Sequence, residues 1–129
     1  DIDLAQADMI VLPGGMPGTT NLYADKRVTS AVRAMYDAGK YVAAICAAPS
    51  VILGGMGMRK GHRGTCYHGM EDGMEGAEAV PATCVTDGKI ITACGVGGAL
   101  DFACALITAL ISREKADEIA LSVVYHAAN

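Results

Sequence analysis

The stretch Val42-Ala43-Ala44-Ile45-Cys46-Ala47-Ala48-Pro49 constrains this chain more than any other. A short apolar run suited to a buried strand meets a cysteine, two alanines and a proline, and Ser50-Val51-Ile52-Leu53 follows at once. Too few residues separate strand from helix for an ordinary loop. The chain must turn sharply at Cys46 and send a helix back over the sheet it has just left. Strand–helix units of this kind build parallel sheets covered by helices. Composition points the same way. Tryptophan is absent and Phe102 is the single phenylalanine. The core must therefore come from Val, Ile, Leu, Ala and Met, the residues of a buried parallel sheet.

The rest of the chain repeats the alternation. Asp8 to Leu12 reads as a buried strand stopped by Pro13-Gly14-Gly15. Leu22, Val28, Val32 and Met35 recur near helical spacing, predicting one helix capped by Asn21 and running to about Ala38. Lys40 to Ile45 is the next strand, and a helix over Ala47 to Leu53 ends at Gly54-Gly55. Met56 to Gly64 reads as a connection, Thr65-Cys66-Tyr67 as a short strand, and Met70-Glu71-Asp72 as a weak helix. Thr83 to Thr86 and Lys89 to Ala93 flank the turn Asp87-Gly88 as a hairpin. Cys94 to Gly98 is a glycine-rich loop, Ala99 to Leu110 an apolar helix, and Glu114 to about Tyr125 a last helix striped by Ala116, Ile119, Ala120 and Val123. The sum is an α/β domain. Its visible strands are few for a self-sufficient doubly wound sheet, and Asp1-Ile2-Asp3 lies only a few residues before the first of them. Residues 1–129 are therefore expected to be a single domain lacking a first strand-helix-strand segment, with which they would associate.

Charge and cysteine usage exclude several functions. The formal net charge is −4 and no basic run is present, so a nucleic-acid partner is not expected. No apolar run is long enough to span a membrane. The five cysteines are odd in number and none are spaced as Cys-x-x-Cys. That argues for reduced thiols in a cytoplasmic protein rather than a disulfide framework or a zinc knuckle, and no metal or cofactor is expected.

Cys46 is the leading candidate for chemistry. A thiol at a strand-to-helix turn lies near the first helix amides, whose partial positive charge favours thiolate. The small neighbours Ala44, Ala47 and Ala48 suit a crowded elbow. The alternative is a buried structural cysteine. An acid–base partner does not adjoin it in sequence. His68 is the candidate, with a surface-loop histidine as the alternative; His62 reads as a solvated residue, and His126 as a helix-end residue. Cys66 and Tyr67 are candidates for the pocket, and Cys66 also for a resolving thiol. Cys84 and Cys104 read as core. Gly14-Gly15 and Gly95-Val96-Gly97-Gly98 end apparent strands, where amides can join that of Ala47 in an oxyanion hole. The alternative for both loops is tight-turn geometry, and neither is a nucleotide-binding fingerprint. Glu71, Asp72, Glu75 and Glu78 read as a solvated acidic patch. The methionines at 56, 58, 70 and 74 read as core filling, with an adaptable pocket or dimer surface as the alternative.

Val11-Leu12-Pro13-Gly14-Gly15, Ala44-Ile45-Cys46-Ala47-Ala48-Pro49, Thr65-Cys66-Tyr67-His68-Gly69, Asp87-Gly88-Lys89-Ile90-Ile91-Thr92 and Gly95-Val96-Gly97-Gly98-Ala99-Leu100-Asp101-Phe102 together resemble the ThiJ/PfpI superfamily, in its YajL-like, Parkinsonism-associated deglycase-like branch. The resemblance covers nearly the whole chain. It implies a flavodoxin-like three-layer sandwich with a mostly parallel sheet and helices on both faces, and a homodimer. It also implies that Cys46 is the reactive elbow cysteine and that the backbone of Gly14 and Gly15 lines the oxyanion side of a small-molecule pocket. A glutamate expected to bond to the cysteine belongs to a junction before Asp1. The chain departs from the pattern at Ala47, where the peptidase-like branch has histidine, and this argues against a protease triad. It departs at Cys94 to Gly98, where Arg-Gly-Pro-Gly-Thr is usual, and at His68, where proline is usual. The activity implied is glyoxalase or deglycase chemistry on small reactive carbonyls or their adducts. Alternatives are a non-enzymatic redox-sensing or protective protein, and a hydrolase or hydratase of small amide-like or isonitrile substrates.

Overall fold

The computed structural model describes residues 3–123. Four strands, β1 (Met9–Leu12), β2 (Tyr41–Ile45), β5 (Cys84–Asp87) and β6 (Ile90–Ala93), form one sheet in the order β1-β2-β6-β5. β1, β2 and β6 run parallel, and β5 pairs antiparallel with β6 across the Asp87-Gly88 turn. A second, two-stranded sheet joins β3 (Arg63–Gly64) to β4 (Glu78–Ala79).

Successive strand residues enter two different cores, as the period of two in a strand requires. Ile10, Leu12, Val42, Ala44 and Ile90 pack with Val32, Ile52 and Leu53 on one face. Met9, Tyr41, Ala43, Ile45, Ile91 and Ala93 pack with Phe102, Ala105 and Leu106 on the other. The first face is covered by α2 (Lys26–Asp37) and the short helix after Cys46, the second by α3 (Ala99–Leu110). All four residues of β6 are buried, as befits a strand enclosed on both faces. This is a flavodoxin-like α/β sandwich of three layers.

Several local expectations are corrected. The single helix expected from Asn21 to Ala38 is two helices, α1 (Gly18–Ala24) and α2. Asp25 interrupts it with extended backbone, and its carboxylate accepts the Arg27 N–H at 2.9 Å, an N-cap for α2. Asn21 lies inside α1 instead of capping it. The helix after Cys46 spans Pro49–Gly54 and is wound as a π-helix. Thr65-Cys66-Tyr67 is not a strand; the ladder ends at Gly64. The weak helix near Met70 is a single 3₁₀ turn, Glu71–Gly73. The last helix, α4 (Arg113–Ser122), buries Ala116 but leaves Ile119 and Val123 exposed, so only part of its predicted stripe is covered. Tyr125 and His126 lie outside the described residues. Among the described residues no helix is long and apolar enough to cross a membrane.

Candidate active site

Cys46 follows β2 directly and is the one non-glycine residue among those described with positive φ, at 63°. Left-handed backbone costs an L-residue about 1–2 kcal/mol, and such strain persists only where the surroundings over-determine it. Here two backbone bonds do so. The Cys46 N–H donates to Ala93 O at 2.9 Å, and Cys46 O accepts the Tyr67 N–H at 2.7 Å. Ala47 and Ala48 behind it are buried.

Two glycine loops approach the elbow. A Cβ on Gly14 would lie 2.5 Å from Cys46 Cβ and 3.3 Å from Cys46 Sγ, so the Gly14 backbone is pressed against the thiol. Gly15 has φ +91°, and its carbonyl accepts both the N–H and the hydroxyl of Thr19, at 2.8 and 2.7 Å. From the other side, a Cβ on Gly95 would lie 3.8 Å from Cys46 Sγ and 3.6 Å from the Tyr67 ring. Gly97 is exposed in the turn Val96–Gly98, and a Cβ there would meet nothing within 4 Å.

The segment after β3 supplies the remaining wall. Thr65 N–H donates to the buried Thr92 Oγ1 at 3.0 Å, which seats the segment against β6. Cys66 is buried, and its Sγ donates to Tyr67 O at 3.4 Å. Burial pushes the Cys66 thiol up to about 11; the Glu71 carboxylate and Cys46 push the same way, and the Arg59 guanidinium opposes them. Tyr67 is half exposed beside the elbow, and His68 is exposed in the turn after it. Among the described residues His68 has no hydrogen-bond or ion-pair partner. The structure thus brings Cys46, Ala47, Gly14, Gly95, Cys66 and Tyr67 together and leaves His68 and Gly97 facing outward.

Three supporting residues carry no clear sequence signal. Ser50 Oγ donates to Met70 O at 2.8 Å and fastens the elbow helix to the turn that follows Tyr67. Arg59, expected in a solvated connection, is fully buried. Its Nη2 donates to Arg63 O at 2.7 Å, while Nε and Nη1 have no hydrogen-bond partner among the described residues. A Cβ on Gly64 would collide with that guanidinium, so Gly64 makes its room. His62 is not a freely solvated residue either. It is half buried, with Nδ1 3.4 Å from Asp87 Oδ2 and Nε2 3.5 Å from Tyr36 OH. Of the methionines, Met58 and Met74 are core.

A cavity of about 620 Å³ opens elsewhere, between β5, α3 and α4, and is lined by Cys84, Asp101 and Cys104. It runs from Thr83 and Cys84, level with the carboxyl end of β6, to Tyr41 at the start of β2, and Cys46 does not line it. Ligands of open α/β sheets bind at the carboxyl ends of strands, where Cys46 stands directly after β2. Burial pushes the Cys84 thiol up to about 11, with Asp101 adding to it, which suits a core thiol rather than a nucleophile. Among the described residues no group of three or more His, Cys, Asp or Glu is arranged to hold a metal ion.

Residues 1–109 match the DJ-1/PfpI family. The chain belongs to that family. Protein DJ-1 homolog A of Arabidopsis thaliana is 37% identical over 127 residues, covering 92% of this chain and 31% of its own length. A deglycase of Pyrococcus horikoshii is 38% identical over 88 residues, 66% of this chain and 51% of its own. An isonitrile hydratase of Pseudomonas putida is 29% identical over 125 residues, 95% of this chain and 54% of its own. The crystal structure of Drosophila melanogaster DJ-1beta superposes with a TM-score of 0.89 at 32% identity, covering 96% of this chain and 68% of that one. This DJ-1/PfpI chain thus spans about a third to a half of the length of these curated relatives.

Proposed function

We propose that this chain carries the nucleophile of a cysteine-dependent enzyme acting on small reactive carbonyls or their adducts. The observation that carries the reading is Cys46 in left-handed backbone at the end of β2, pinned through both its N–H and its carbonyl. In the proposed reaction the Cys46 thiolate attacks an aldehyde or ketone carbon. The C–S bond forms, the carbonyl π pair moves to oxygen, and protonation of that oxygen gives a hemithioacetal. The Ala47 amide and the Gly14–Gly15 loop are the proposed oxyanion partners. Proton transfer is assigned to His68, which a loop movement would have to bring in to the thiol. The deglycase among its relatives supports the carbonyl class, and the isonitrile hydratase supports the alternative of a small-molecule hydratase. A homodimer and a cytoplasmic location are part of the same proposal.

The test is methylglyoxal consumption by the full-length protein. Turnover should vanish in Cys46→Ala. No turnover above that of a free-thiol control would overturn the carbonyl reading, and turnover of an isonitrile in its place would select the hydratase.

A further inference from the structure

Beside the elbow lies a second thiol that carbonyl chemistry does not use. Cys66 directly precedes Tyr67, whose N–H donates to the Cys46 carbonyl at 2.7 Å. That bond sets the peptide joining Cys66 to Tyr67 directly against the Cys46 carbonyl, so the two cysteines are neighbours across a single hydrogen bond. The Thr65–Thr92 bond holds the other flank of Cys66 against β6, so the segment is fixed on both sides of the thiol. The two sulfurs also interact: charge on Cys46 disfavours charge on Cys66. Cys84, level with Ala93 but two strands over on β5, and Cys104 on α3 line the cavity between β5, α3 and α4 instead.

We propose that Cys66 resolves an oxidised Cys46, converting it to an intramolecular Cys46–Cys66 disulfide that reversibly withdraws the nucleophile. The inference rests on Cys46 being the reactive thiol. A peroxide is the oxidant. The Cys46 sulfur pair forms an S–O bond as the O–O bond breaks, which leaves Cys46 sulfenic acid and water or an alcohol. Cys66 then attacks that sulfur. The S–S bond forms, the S–O bond breaks, and hydroxide leaves with the Cys66 proton as water. Two electrons pass from two thiols to one peroxide.

Exposure sets the order of events. Cys46 is partly exposed, whereas Cys66 is buried. Kept protonated by burial, Cys66 is a poor first target of peroxide. Its thiolate is scarce near neutral pH, but a fixed neighbour reacts with an effective molarity that can reach about 10⁵ M or more. Arg59, Glu71 and Cys46 are the charged or titratable groups acting on Cys66. Disulfide yield relative to Cys46 sulfinate is therefore expected to rise with pH.

The experiment treats reduced full-length protein with graded hydrogen peroxide, blocks residual thiols by alkylation, and maps peptides after trypsin and a glutamate-specific protease. Glu71, Glu75 and Glu78 separate Cys66 from Cys84, so the pairing is unambiguous. The expected product joins the peptide 41–59 to 64–71 with loss of two hydrogens, and dithiothreitol reverses it. In Cys66→Ser, Cys46 sulfinate should rise several-fold at the same peroxide dose. The wild-type map stands by itself if that variant folds poorly. Sulfinate on Cys46 with Cys66 still free, or Cys46 paired with another cysteine, overturns the inference and leaves the reactive-thiol reading intact. A Cys46 that resists both alkylation and peroxide in the native protein overturns both.

Discussion

Gly14→Ala should disable the elbow far more than it unfolds the protein. The new methyl would be placed 2.5 Å from Cys46 Cβ, 3.0 Å from Ile45 O and 3.3 Å from Cys46 Sγ. Carbon atoms in contact prefer about 3.5–4.0 Å, so the loop or the thiol must move by about 1 Å. Overpacking of this kind costs about 1–3 kcal/mol, which lowers Tm by roughly 3–10 °C in a domain of this size. A displacement of about 1 Å at a reacting atom costs on the order of 100-fold in rate. The assay is paired: thermal unfolding, and the second-order rate of Cys46 alkylation by iodoacetamide in the native state, with methylglyoxal turnover as a third readout. Gly39→Ala is the control. Gly39 has φ +77° and nothing within 4 Å of an added Cβ, so the substitution costs about 1–2 kcal/mol of backbone strain with no collision and no contact to the site. Gly14→Ala should alkylate much more slowly than wild type, and Gly39→Ala at the wild-type rate. Wild-type alkylation in Gly14→Ala, or equal slowing in both variants, would refute the contact between the Gly14 loop and the thiol.

Three further outcomes follow from the groups behind the site. Arg59→Met removes a buried guanidinium with two nitrogens that lack a hydrogen-bond partner among the described residues, and should leave stability unchanged or raise it by about 1–4 kcal/mol. Gly64→Ala, which meets that guanidinium, should lose about 1–3 kcal/mol in the native sequence and less on the Arg59→Met background; additive losses in denaturant titrations would refute the coupling. The Arg63 N–H and nearby His62 hold the Asp87 carboxyl below its ordinary range. A carboxyl depressed in the folded state stabilises above its unfolded pKa of about 3.9, and that stabilisation is lost as pH falls through the folded value. Tm measured between pH 6 and 2 should therefore decline less steeply in Asp87→Asn, and an unchanged acid limb would sink the assignment.

The layered fold was legible because β1, β2 and β6 are short, mostly apolar and followed within a few residues by glycine or proline, and because α3 is apolar apart from Asp101 and Thr108. The elbow was legible for a related reason: an apolar strand runs straight into Cys46, and only small residues and a proline follow before the next apolar run. The break at Asp25 was not, since Leu22, Val28 and Val32 keep helical spacing across it and the cap depends on one side-chain bond to Arg27. The meeting of Cys66 and Tyr67 with Cys46 is a matter of tertiary packing. It is made by bonds to Thr92 and Cys46 from a segment that forms no ladder of its own. Arg59 was hidden by its neighbours Lys60 and Arg63, which read as a solvated connection. A buried cation between a core methionine and an exposed lysine leaves no periodic mark.

The bond from Cys46 N–H to Ala93 O has a kinetic meaning. It joins residues far apart in sequence, within a parallel pairing that closes only after a long intervening segment is ordered. Such non-local pairings form late, because loop entropy is lost before contacts repay it. During synthesis the thiol therefore emerges on a chain that cannot yet bend it, and meets the cell as an ordinary cysteine. Its strained geometry is acquired when β6 docks, so a chain that stalls before that step carries the residue without the elbow.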